Sequence, residues 1–97
     1  MRCEFHSEAL AEYEEAARFY AERDSGVERL FLRAVEDAIQ LVTDAPERCR
    51  ILEEDVRRCL THIFPYAILY TIETDYILII AVMHCSRDPG YWKKRVD

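Results

Sequence analysis

The last third of the chain holds the residue types that could do chemistry. His84 closes a long apolar run, Arg87 follows three positions later, Tyr91 and Trp92 come next, and Lys93, Lys94 and Arg95 crowd the end. A histidine exchanges protons near neutral pH. An arginine grips phosphate or carboxylate through two parallel hydrogen bonds, and a tyrosine can stack on a base or pass a proton. Arg58, in an earlier Val-Arg-Arg run, supplies a second guanidinium. Together His84, Arg87, Tyr91 and Arg58 contain what cleavage of an RNA strand requires: a base for the 2′-hydroxyl, cations for the charge gathering on phosphorus, and a proton for the leaving oxygen. Arg87, Trp92, Lys93, Lys94 and Arg95 read equally as a tail that grips a macromolecular target. The same residues also have plainer roles. A histidine at a strand end is held by hydrogen bonds, an arginine of the Arg57-Arg58 pair bridges to Glu53, Glu54 or Asp55, and the two aromatics pin the tail to the core. If the tail's charges lie outside the core, Arg87→Ala and Arg95→Ala each change folding free energy by no more than about 0.5 kcal/mol.

Positioning such residues falls to the elements before them. Met1, Cys3 and Phe5 alternate with Arg2, Glu4 and His6, the period of a half-buried strand. Ser7 then stands as an N-cap. Leu10, Tyr13, Ala17 and Tyr20 form one helical stripe, with Glu8, Glu12, Glu15 and Glu22 on the wet side. Ser25 and Gly26 read as the stop and turn before a second helix starting near Val27. Its apolar residues recur at i, i+3, i+4 and i+7 from Val27 to Val42, and Pro46 ends it. After Pro46 the period becomes two. Strands are expected over 48–52, 56–63, 66–73 and 76–84, with breaks at Phe64-Pro65 and Thr74-Asp75. The fold class is α+β: an N-terminal strand, an antiparallel two-helix hairpin packed on one face of a mainly antiparallel sheet, and a short C-terminal tail. The run Tyr76–His84 is apolar at both parities, so it is expected at the centre of the sheet and covered on both faces. The helical hairpin covers one; either the termini or a partner chain must cover the other.

Length and composition set outer bounds. Ninety-seven residues, half of them apolar and a third charged, suit one ordered domain with a modest core. The longest apolar run is far short of the roughly 20 residues of a membrane span, and Arg2, Glu4 and His6 interrupt any secretory leader. A cytoplasmic location with no membrane association follows as the expectation. The four cysteines stand singly, without metal-ligand spacing, and are expected as reduced thiols; no cofactor or metal is implied. The net charge of −6 is uneven: positions 7–45 carry ten acids against four arginines, while the later half is balanced. Unaided binding to DNA is therefore expected to be weak or absent, since phosphate neutralisation drives it.

The segments VRRCL, FPYAILYTIETDYILIIAVMH and SRDPGYW, with AEYEEAARFY and VERLFLRAVEDAIQLVTDAP before them, resemble the ParE/RelE superfamily of bacterial toxins from type II toxin–antitoxin modules. The resemblance spans almost the whole chain. It implies a single toxin domain over residues 1–97, a role in plasmid stabilization or growth inhibition, and a cognate antitoxin that wraps it. RelE-like relatives cut messenger RNA in the ribosomal A site, for which His84, Arg87, Tyr91 and Arg58 would be the catalytic set. ParE-like relatives poison DNA gyrase without a recognised nuclease site. RelE-like toxins are strongly basic, whereas this chain has a pI near 5.0 and no lysine before Lys93. The gyrase-directed reading is preferred on that ground. Ribosome-dependent mRNA cleavage is the alternative, and a non-toxic interaction module of the same fold is the second.

Overall fold

A computed structural model describes residues 1–96. Strand β1 (Arg2–Phe5) leads into helices α1 (Ser7–Ala21) and α2 (Ser25–Asp44). Four strands follow: β2 (Arg50–Glu53), β3 (Val56–Leu60), β4 (Tyr66–Ile72) and β5 (Tyr76–His84). A single 3-10 turn, Lys93–Arg95, closes the described chain. The sheet order is β1-β5-β4-β3-β2, antiparallel throughout except for β1, which runs parallel to β5. This is the expected α+β class, with shorter strands at 50–53, 56–60 and 66–72 than the periodicity suggested.

Two helix starts differ from expectation, each for a local reason. His6, not Ser7, caps α1: its backbone is extended and its Nδ1 accepts the Glu8 N–H at 3.1 Å. Ser25 and Gly26 are not a turn but the first residues of α2. Asp24 caps that helix by accepting the Gly26 N–H at 2.7 Å. A Cβ on Gly26 would sit 3.1 Å from that same Asp24 oxygen, so the cap itself favours glycine there.

The helices pack on one face of the sheet around Phe31, Val35, Val42, Ile68, Tyr70 and Ile79. On α1 the fully buried positions are Ala9 and Ala16, whereas Leu10 is exposed. Tyr13, Ala17 and Tyr20 of the expected stripe pack against this core, while Leu10 turns outward and Ala9 and Ala16 extend the stripe on its other side. Glu12, three residues after Ala9 and four before Ala16, lies on the buried seam and not on the wet side.

A second cluster fills the opposite face. Val56, Ala67, Leu69, Ile80, Ala81 and Met83 pack there against Trp92, with Tyr91 and Val96 at its margin. The choice left open for this face is therefore settled in favour of the C-terminal tail over β4 and β5. Strand β5 carries a bulge: Leu69 pairs with Ala81 and the next residue, Tyr70, with Ile79, leaving Ile80 extra. One inserted residue reverses the alternation beyond it. Ile77 and Ile79 face the helices, Ile80, Ala81 and Met83 face the tail, and Val82 returns to the helix side.

The turn before β4 is strained. Ile63 has φ 74° and is 81% exposed, and the Phe64 N–H donates to His62 O at 2.9 Å across it. A β-branched residue is disfavoured at positive φ. Phe64 is held in the core against Tyr20 and Phe31, which keeps the turn closed. Ile63→Gly is expected to raise stability by about 1 kcal/mol in chemical denaturation, because glycine adopts this backbone without strain.

Candidate functional site

The parallel pairing of β1 with β5 ends at Phe5 and Ile79, with one further bond from His6 N to Ile79 O. Beyond that point β5 continues alone on this edge, and its backbone needs other partners. An ion pair supplies them. The Glu12 carboxylate accepts the Val82 N–H at 3.0 Å, and Arg95 Nη1 donates to Ile80 O at 2.9 Å. The same two side chains join each other fork to fork, Nη1 to Oε1 at 2.9 Å and Nη2 to Oε2 at 3.0 Å. Their side chains are only 13% and 6% exposed. The pair links the first helix, the bulged strand and the tail in one buried node.

Electrostatics follow from that geometry. Burial alone would raise the Glu12 carboxyl, but the bonds from Arg95 and Val82 outweigh it and hold the group below its ordinary range. Because the folded carboxyl releases its proton more readily than the unfolded one, its stabilisation is present above the unfolded value near 4.5 and is lost as pH falls through the lower folded value. Acid denaturation of the Glu12→Gln variant, followed by circular dichroism, is expected to show a shallower loss of stability below pH 4.5 than the unsubstituted chain. Tyr91 moves the other way: burial, then the neighbouring Glu12 carboxylate, push its hydroxyl far above the ordinary phenol range. That hydroxyl is buried close to Glu12 without meeting hydrogen-bond geometry.

Of the expected catalytic set, His84, Arg87 and Tyr91 lie near one another and Arg58 lies apart. Arg87 lies with its guanidinium 3.8 Å from the Tyr91 ring centre and 3.5 Å from Glu12 Oε2. His84 sits edge-on to Tyr66, and its Nδ1 faces the Ser86 hydroxyl at 2.8 Å and the Ser86 N–H at 3.1 Å. His84 and Arg87 do share one open groove of about 190 Å³, but Glu12 and Glu15 line it as well, with Phe19 and Tyr66. Arg58 is elsewhere. Strand β4 lies between its strand and β5, and it pairs with Leu69 on the tail side of the sheet, whereas His84 pairs with Tyr66 on the helix side. The bulge at Ile80 fixes that separation. Arg57 turns to the loop after α2, donating to Glu47 O at 3.0 Å and Cys49 O at 2.8 Å, and not to the acids of the 53–55 turn.

The tail residues divide sharply by surroundings. Trp92 is 2% exposed, and its indole N–H is buried without a partner. Arg95 is inside the node described above. The expectation that Arg95 could be removed at little energetic cost is therefore corrected: its charge lies within the packed structure. Lys93 reaches Glu53 at 3.2 Å with both groups half exposed, and Lys94 is exposed and makes no ion pair among the described residues. Glu12 is the site residue that sequence reasoning placed wrongly. Its one signal was its spacing from Ala9 and Ala16. Among the described residues no group of three or more metal-ligating side chains assembles, and no helix is long and apolar enough to cross a membrane.

Residues 3–89 match the family described as the ParE toxin of the type II toxin–antitoxin system, parDE. A search of curated protein sequences returns no match. Among solved structures, the chromosomal ParDE TA system from P. aeruginosa is similar in fold, with a TM-score of 0.65 and 18% identity over 87% of this chain and 95% of that one.

Proposed function

The chain belongs to the ParE toxin family of type II toxin–antitoxin systems, and from that membership we propose that it is a growth inhibitor directed at DNA gyrase and neutralised by a cognate antitoxin. The observation that carries the choice of target is the composition of the groove beside His84. Cleavage of RNA needs unpaired cations where negative charge builds. Here the Glu15 carboxylate lines the wall, Glu12 is already held by Arg95, Arg87 rests on Glu12 and the Tyr91 ring, and Arg58 lies on the other face. Among the described residues that groove offers a phosphorane one cation, the partly engaged Arg87, against the Glu15 carboxylate. One feature favours the nuclease reading: His84 and Arg87 still line a common opening. Induction in cells separates the two. Gyrase poisoning gives filamentation, a DNA-damage response and intact messages, whereas a nuclease gives arrested translation and cuts in ribosome-bound messages. Unaltered supercoiling, translation and growth would leave the interaction module.

The antitoxin's contact is proposed at the part of the sheet that the tail leaves uncovered. Arg50 and Arg58 stand directly opposite each other on β2 and β3, and like charges so placed repel. Neither makes an ion pair among the described residues. Ile51 and Leu52 complete a hollow with them of about 260 Å³, and Leu60 beside it is 57% exposed. Two unpartnered guanidiniums among exposed aliphatics suit a segment that is both acidic and apolar. Arg58→Glu is expected to weaken antitoxin binding at least tenfold, read by calorimetry with the co-expressed partner, while Arg87→Glu leaves it within about twofold.

A further inference from the structure

Cys49 and Cys59 occupy a position that no role above uses. In the β2–β3 ladder Arg50 pairs with Arg58 and Ile51 with Arg57. Continuing that register one step outward sets Cys49 directly opposite Cys59. Opposed residues of an antiparallel pair have Cα atoms about 4.5 or 5.5 Å apart, and both spacings fall within the range a disulfide bridges. The packing agrees: Cys59 is buried in the helix-side core, and Cys49 is partly buried against the same cluster. The backbone around Cys49 is also held in place, by Arg57 on the Cys49 carbonyl and by the Tyr70 hydroxyl donating to Pro46 O at 2.6 Å. Cys3, on the far edge strand, and Cys85, exposed after β5, have no such opposed partner.

We propose that Cys49 and Cys59 are an oxidant-responsive pair that closes to a cross-strand disulfide when a peroxide reaches Cys49. The more accessible Cys49 is the first to react. Its thiolate attacks one peroxide oxygen and cleaves the O–O bond, giving a sulfenic acid and releasing hydroxide, which is protonated to water. The Cys59 sulfur, losing its proton, then attacks the Cys49 sulfur and expels the oxygen as a second water. Two thiols and one hydrogen peroxide thus yield one disulfide and two waters, with the two electrons passing to the peroxide. Burial, then the adjacent Cys49 thiol, push the Cys59 thiol up to about 12, which keeps it protonated and out of the first step; in the second step its cross-strand position opposite Cys49 brings the two sulfurs together. The bridge would staple the loop after α2 to β3 and be released by a dithiol reductant.

The test uses the full chain with Cys3→Ser and Cys85→Ser, treated with hydrogen peroxide and then dithiothreitol. The expected result is an intact mass lower by about 2 Da, one intramolecular Cys49–Cys59 link on non-reducing peptide mapping, and a melting temperature higher on the order of 5–10 °C, all reversed by the reductant. Adding Cys59→Ala should abolish the mass loss and leave a Cys49 sulfenic acid that dimedone traps, and adding Cys49→Ser should abolish both. A mass increased by whole oxygens with both thiols unlinked, or linkage only between molecules, would overturn the proposal. These readouts do not depend on what the chain inhibits.

Discussion

Replacing Arg95 with Ala lowers the free energy of unfolding by about 3–5 kcal/mol, the range for removing one partner of a buried ion pair. The size follows from what the substitution leaves behind. Glu12 loses both of its charge-assisted bonds from Arg95 while remaining almost enclosed, and Ile80 O, on the unpaired edge of the bulge, loses its donor. Arg87→Ala is the matched control. Its side chain is 53% exposed and its contact with Glu12 is 3.5 Å, so the change stays within about 0.5 kcal/mol. Urea denaturation of both variants checks the pair, and an Arg95→Ala loss below about 1 kcal/mol would mean that the node does not hold the tail.

Trp92→Ala has an effect of similar size by a different route. Truncating a buried aromatic costs about 3–5 kcal/mol, and here it also opens the tail-side face of β4 and β5, where Ala67, Leu69, Ile80 and Met83 lie. The variant should bind a hydrophobic dye and lose solubility along with stability. Trp92→Phe separates packing from polarity. The indole N–H makes no hydrogen bond, so a phenyl ring forfeits only area and retains most of the stability. If Trp92→Ala melts within a few degrees of the unsubstituted chain, the tail is not the cover of this face.

These two effects also mark where the sequence was legible. The alternation of Tyr66, Ile68, Tyr70 and Ile72 against Ala67, Leu69 and Thr71 reads directly as two faces of β4, and the helix face is where that first set lies. The doubly apolar run at 76–84 announced a central strand with two covered faces; both covers are present, but the strand lies second from the edge and beyond Ile79 forms the edge itself. The bulge at Ile80 was not legible, because a run apolar at both parities hides an inserted residue. That concealed step changes the face on which Val82 and His84 lie and separates His84 from Arg58. The Glu12–Arg95 pair was illegible for another reason. The partners are 83 residues apart, and a glutamate among glutamates on an acidic helix reads as solvated until the register of α1 against β5 is known. The two helix caps show the opposite case. Asp24 before Ser25-Gly26 is a strong local signal, outweighed in the reading by the turn preference of the Ser-Gly pair that follows it.

The groove beside His84 underlies the proposal that this ParE-family chain acts on gyrase and not on RNA. The most direct measurement adds the purified chain to purified DNA gyrase with plasmid, and in parallel to translating ribosomes carrying a defined message, with His84→Gln beside the unsubstituted protein in each. The expected result is inhibited supercoiling with accumulation of covalent gyrase–DNA complexes, an uncut message, and no change in either on replacing His84, since glutamine keeps the hydrogen bond and removes only proton transfer near neutral pH. Undisturbed gyrase together with site-specific cuts in the ribosome-bound message, abolished by His84→Gln, would contradict it.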